Sequence, residues 1–211
     1  MVESSREAEK RKADLVELRL DFLDDLSSAS IKQTFTELMD IRIPKIATIM
    51  PSTIFGKFNG SDETRARLLL DAADYADYVD LGSEIAPRIL QGSLFELKVK
   101  KAQPIISWHS QRPLNVAEIV DFVKSVYGRA ICKVVMTAEN YDDNLAALQA
   151  CSSLGGFKRI VFCHGEKGAI SRVLAPFFGS EWSYASLGKG KEGAPGQLDQ
   201  AEMRRLQEAF R

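Results

Sequence analysis

The sequence predicts a parallel α/β fold, and three observations carry the prediction. Apolar runs of strand length recur at fairly even spacing, helical periodicity fills the gaps between them, and no low-complexity tract or linker-like break interrupts the series. Strands that alternate with helices pair in parallel, in a sheet either open and doubly wound or closed into a barrel. At the start, Ser4 followed by Glu7 has capping-box spacing, so the chain is expected to open with a helix leading into its first strand.

Strands are expected at 14–21 (DLVELRLD), 45–50 (KIATIM), 78–82 (YVDLG), 104–109 (PIISWH), 130–136 (AICKVVM), 159–163 (RIVFC) and 182–187 (WSYASL). Helical patterns cover 62–76 (DETRARLLLDAADYA), 116–127 (VAEIVDFVKSVY) and 141–151 (YDDNLAALQAC). A closed eight-unit barrel usually takes about 250 residues, so this set falls about one unit short. Residues 1–211 are read as a single domain.

Of the 211 residues, 45% are hydrophobic and 27% charged, an ordinary globular mixture. Lys plus Arg number 28 against 29 Asp plus Glu, a formal charge of -1, which gives no electrostatic reason to expect nucleic acid or an anionic membrane as partner. Small molecules are the expected ligands. Cys132, Cys151 and Cys163 form no close pair and no metal-ligand spacing, so neither disulfides nor a metal are expected, and a reducing cytoplasmic setting fits. The opening MVESSREAEKRK is too charged for a signal peptide, and no stretch approaches the roughly 18 apolar residues of a membrane span.

Five features stand out as candidate chemistry. In DLVELRLD, Glu17, Arg19 and Asp21 alternate with Leu18 and Leu20. Parallel strands are normally covered on both faces, so charges there must either pair inside the fold or line a polar site. Lys133 interrupts the apolar AICKVVM. Lysine is rarely buried without a partner, and desolvation would favour a free amine able to attack a ketone and form a Schiff base; the plain alternative is a lysine that snorkels to solvent at a strand end.

His109 closes the apolar run PIISWH and is one of only two histidines, the other being His164. It is either an imidazole bonded to a structural neighbour or, beside an iminium, a proton shuttle near pH 7. In HGEKGAISR, Arg172 follows a strand and stands where it can clamp a carboxylate with two parallel hydrogen bonds, unless it is a surface arginine. The glycine-rich 188–197 (GKGKEGAPGQ) lacks the GxxxxGK[ST] pattern of a phosphate cradle and reads better as a lid, mobile when empty, with Lys189 and Lys191 adding attraction for an anion.

The ordered set DLVELRLDFL, PIISWHS, ICKVVM, GAISRV with FGS, and APGQ resembles the type I 3-dehydroquinate dehydratases from about residue 13 to 197. The resemblance implies a (β/α)8 TIM barrel that removes water from 3-dehydroquinate to give 3-dehydroshikimate, without metal or cofactor. It implies that Lys133 forms the imine and that His109 takes the proton from the adjacent carbon and returns it to the leaving hydroxyl. Glu17 and Arg19 would hold ring hydroxyls, Arg172 the carboxylate, and Gln197 the substrate from the closing loop.

The sequence departs from the family in three places. Met50 stands where the family has an arginine, and the family's glutamate in the following loop is not evident, with Lys57 and Asn59 nearby instead. Gly193 replaces the serine before APGQ. The family's first strand is missing, which makes self-association as a homodimer or a rearranged N-terminus an expectation. Two other readings stay open: an aldolase-like Schiff-base lyase on the same scaffold, and a degenerate barrel that binds a metabolite without turnover.

Overall fold

The computed structural model describes residues 1–210 other than Tyr127, Arg129, Lys189, Lys191, Glu192 and Pro195. The chain divides into two compact units, Met1–Ile106 and Ser107–Arg211.

In the first unit, helix α1 (Val2–Lys10) leads to β1 (Val16–Arg19), α2 (Ser28–Glu37), β2 (Lys45–Thr48), α3 (Asp62–Ala72), β3 (Tyr78–Gly82) and α4 (Pro87–Leu97). The opening helix is present as expected, but not through the predicted cap. Met1 holds the N-cap position with no side-chain bond. Ser4 lies in the first turn, and Ser5 instead donates its hydroxyl to the Met1 carbonyl at 3.1 Å. Helices α2 and α3 do start on side-chain caps: Ser27 and Ser30 form a reciprocal box at α2, and Ser61 accepts from the Thr64 amide at α3.

Strands β1, β2 and β3 pair in parallel, with Arg19 beside Thr48 and Thr48 beside Asp80. Because side chains alternate with period 2, Arg19, Thr48 and Asp80 form one cross-strand row at the carboxyl ends, with Glu17 on the same face two residues earlier. Leu18, fully buried, turns the other way.

Strand β4 (Gln103–Ser110) runs into the second unit, which continues as α5 (Val116–Ser125), β5 (Ile131–Thr137), α6 (Asp143–Ser153), β6 (Arg159–His164), α7 (Ala169–Leu174) and α8 (Gln200–Glu208). Strand order in the sheet follows the chain. Strands β5 and β6 are parallel, with Lys133 beside Ile160, Val135 beside Phe162 and Thr137 beside His164.

One face of this pair, Cys132, Val134, Met136, Val161 and Cys163, packs against Ile119 and Val123 of α5 and Ala147, Ala150 and Cys151 of α6. The opposite face therefore carries Lys133, Thr137, Phe162 and His164. Strand β4 obeys the same rule. Trp108 packs on the helix-covered cluster and meets Phe122 at 5.2 Å between ring centroids, which sends His109 to the other face.

The strand expected at 182–187 does not form. Only an isolated bridge joins Ser186 to Asp199. Backbone pairing is confined to that point, with Ser186 N donating to Leu198 O at 2.8 Å and Gln200 N to Ser186 O at 2.9 Å, while Ser180 just upstream turns its hydroxyl to Trp182 O at 2.7 Å. Ser171 and Arg172 lie inside α7, which a 3₁₀ turn over Glu166–Gly168 precedes.

The cysteines are structural. All three are buried, and burial pushes the Cys132 and Cys163 thiols up to about 11 and raises Cys151 as well. The native protein is expected to resist a thiol-specific chromogenic reagent and to react at Cys132, Cys151 and Cys163 only after denaturation; rapid labelling of native protein would contradict this packing.

Candidate active site

The second unit builds its site on the face of β5 and β6 that helices leave uncovered. Lys133, only 4% exposed, extends from the middle of β5, and its Nζ lies 4.7 Å from the centre of the Tyr184 ring. An ammonium or iminium over an aromatic face is stabilised by the ring quadrupole, the more so when water is excluded. The Tyr184 ring meets Phe162 of β6 at 5.8 Å, and Phe162 in turn lies 4.7 Å beneath the Arg172 guanidinium. Lys133 and Arg172 are thus the two ends of one continuous stack.

Arg172 is 2% exposed, and its Nε meets no hydrogen-bond acceptor. Burial pushes it down to about 10, opposed by the nearby Cys163 thiol, which still leaves it charged at neutral pH. A buried cation with an unused donor is costly, and an incoming carboxylate offsets that cost.

Its placement is firm because α7 is anchored at its start. The Ser171 amide donates to Asn144 Oδ1 at 3.0 Å, and the Ser171 hydroxyl accepts from the Cys163 amide at 2.9 Å and donates to Gly168 O at 3.1 Å. Asn144 is itself held by donating to Lys167 O at 2.7 Å and Tyr141 O at 3.0 Å.

His109 is half-buried on the same face as Lys133, with its Nε2 shielded from solvent. Gln197 follows Gly196, whose φ of 73° and close backbone approach admit no side chain: a Cβ there would stand 2.0 Å from Gly165 O. The Gln197 Oε1 accepts from the Gly193 amide at 2.7 Å, so the residue at the family's serine position supplies a backbone donor that orients the glutamine. Lys189 and Lys191, assigned to anion attraction, lie outside the described residues, as does part of the 188–196 segment expected to be mobile.

The Gly196 packing yields a test. Gly196→Ala adds at least about 1 kcal/mol for the left-handed backbone, before the clash with Gly165 is counted. It is expected to raise KM by about tenfold with a smaller change in kcat, because a displaced closing segment loosens substrate positioning. An unchanged KM would show that the segment plays no part in retention.

In the first unit, Arg19 makes a two-pronged ion pair with buried Asp21, at 2.8 and 2.7 Å, and donates to Phe55 O at 3.1 Å. Asp21 Oδ2 also accepts from the Lys57 amide at 3.1 Å. The exposed Phe22 ring has Arg19 at 4.7 Å and Lys57 at 4.4 Å. Met50 carries no charge, but the loop it begins brings Lys57 back beside Arg19. Asn59 serves that loop internally through Ser52.

Glu17 and Arg19 therefore belong to the polar row of the first unit, and Lys133, His109, Arg172 and Gln197 to the second. Sequence reading missed Thr48 and Asp80 in the first, and Thr137, Phe162, His164 and Tyr184 in the second. Thr137 is within reach of the period-2 count from Lys133; Tyr184 is not, because the loop that carries it has the composition of a strand.

The fold defines a class: parallel α/β proteins of the barrel kind, which build their sites around the carboxyl ends of the strands. The type I 3-dehydroquinase pattern matches residues 1–210, and the chain belongs to that family.

The 3-dehydroquinate dehydratase of Methanothermobacter thermautotrophicus is 32% identical over 205 residues, covering 94% of this chain and 86% of its own length. That of Methanosarcina mazei is 26% identical over 219 residues, covering 100% of this chain and 90% of its own. The crystal structure of type I 3-dehydroquinate dehydratase from Clostridium difficile with covalently modified comenic acid superposes with a TM-score of 0.90 at 20% identity, over 99% of this chain and 86% of that one. The enzyme from Aquifex aeolicus gives 0.85 at 27% identity, over 99% and 93%. The fold is thus the TIM-barrel class of the type I dehydroquinases. Among the described residues, no cluster of His, Cys, Asp or Glu could hold a metal ion, and no helix is long and apolar enough to cross a membrane.

Proposed function

We propose that this chain dehydrates 3-dehydroquinate to 3-dehydroshikimate through an imine on Lys133, as a hydro-lyase of the shikimate pathway. The observation that carries the residue assignment is the buried stack from Lys133 through Tyr184 and Phe162 to Arg172.

Lys133 Nζ attacks the ketone carbon and loses water to form a protonated imine, which draws electrons from the neighbouring C–H bond. His109 takes that proton, giving an enamine. The enamine expels the β-hydroxyl as His109 returns the proton to it, and water then hydrolyses the imine to release the enone and the free amine. The balance is the loss of one water. The Tyr184 face favours the cationic imine, and Arg172 holds the carboxylate, which sits on the carbon that loses its hydroxyl. Glu17 and Arg19 hold ring hydroxyls, Gln197 closes on the substrate, and Lys57 adds a cation beside Arg19 where Met50 has none. The chain works as one barrel domain in the cytoplasm, as a homodimer in the simplest arrangement.

The test is incubation with 3-dehydroquinate while following the conjugated enone in the ultraviolet. Absorbance growth supports dehydration. A borohydride-stable adduct without absorbance growth would mark a metabolite-binding barrel, and carbon–carbon cleavage products would mark an aldolase-like lyase.

A further inference from the structure

His164 enters none of these steps, yet it closes the carboxyl end of β6 on the same face as Lys133, only 8% exposed. Its Nε2 lies 2.8 Å from Thr137 Oγ1 at the end of β5, and Thr137 Oγ1 donates to the Ser110 carbonyl at 3.2 Å at the end of β4. A threonine hydroxyl has one proton. With that proton on Ser110, the histidine nitrogen is the donor to Thr137, so the ring is the Nε2–H tautomer and the two bonds run in one direction, His164 to Thr137 to Ser110.

Ser110 is the residue after His109. Its hydroxyl is already committed, donating to Arg112 O at 2.8 Å and accepting from the Arg112 amide at 3.2 Å. The turn after β4 is thus held from its far side by Ser110 Oγ and from the sheet by Thr137.

We propose that His164 and Thr137 are positioning residues for the dehydration step: their relay fixes the Ser110–Gln111 peptide, one unit beyond His109, and through Ser110 the end of the strand that aims the imidazole at the substrate proton. The proposal rests on the assignment of His109 as the acid–base group. Burial, and then the charge of Arg172, hold His164 below the usual imidazole range, which keeps the ring neutral at neutral pH. The relay touches the flank of His109 and leaves Lys133 alone. It therefore predicts a split that general damage to the fold would not give, in which proton transfer suffers while the amount of imine does not.

The experiment measures kcat with 3-dehydroquinate and, separately, the fraction of protein trapped by borohydride after equilibration with 3-dehydroshikimate, read by mass. Thr137→Val keeps the shape and removes the relay, and His164→Phe breaks it from the other end. Each is expected to lower kcat about 10- to 100-fold, the scale of a small misplacement of a reacting group, with the trapped fraction unchanged. Thr137→Ser restores the hydroxyl and should return kcat to within about threefold of the parent.

Wild-type kcat in Thr137→Val, or a trapped fraction that falls in step with kcat in both broken variants, would overturn the proposal. So would a Thr137→Ser variant as impaired as Thr137→Val. Failure of the underlying reading looks different, because the parent protein itself would then show neither turnover nor adduct.

Discussion

Lys133→Met is expected to abolish turnover, by on the order of 10⁵-fold or more, the scale seen when a covalent nucleophile is removed. Methionine keeps the length of the side chain in its slot over Tyr184 but has no amine. Borohydride trapping with 3-dehydroshikimate should disappear with it, while the same treatment of the parent protein should add the ligand's mass irreversibly to the peptide containing Lys133. The substitution is not expected to destabilise the fold. Lys133 is 4% exposed, and methionine fills its place without a polar group to satisfy in the interior. An inactive variant with equal or higher Tm would mark a residue kept for chemistry at some expense to stability. Adduct that survives the substitution would mean that another lysine carries the imine.

The second large effect is at His109. His109→Ala should lower kcat by about 10²- to 10⁴-fold, the usual contribution of a positioned acid–base group, and leave equilibrium imine trapping intact. The two variants therefore separate the steps: one removes the covalent intermediate, the other stalls it. An unchanged rate would make His109 a structural imidazole on the uncovered face of β4, and would leave the proton transfer to another group near Lys133.

Much of this was legible along the chain because period-2 alternation is a local property. DLVELRLD announced a polar face, and the structure supplies its reason: Arg19 is paired with Asp21 and aligned with Thr48 and Asp80. A lysine in an apolar strand was equally visible, since nothing in a short β run can hide a charge from a reader counting side chains. The strand expected at 182–187 failed for a reason that is also local in origin but decided only by packing. Its composition suits a strand, but its backbone pairs only at Ser186, and the chain passes as a loop that delivers Tyr184.

The sequence by itself determined the strand–helix alternation, the faces of each strand, and the residue types fit for imine and acid–base chemistry, since these depend on neighbours within a few positions. Which of them lie together is a matter of tertiary packing. The β5–β6 register aligns Thr137 with His164, the anchoring of α7 through Ser171 and Asn144 aims Arg172, and the loop fold sets Tyr184 beneath Lys133. Those placements depend on contacts between residues as much as 51 positions apart, the Lys133–Tyr184 separation. No local periodicity records them, because the free energy that selects them comes from burying both partners at once.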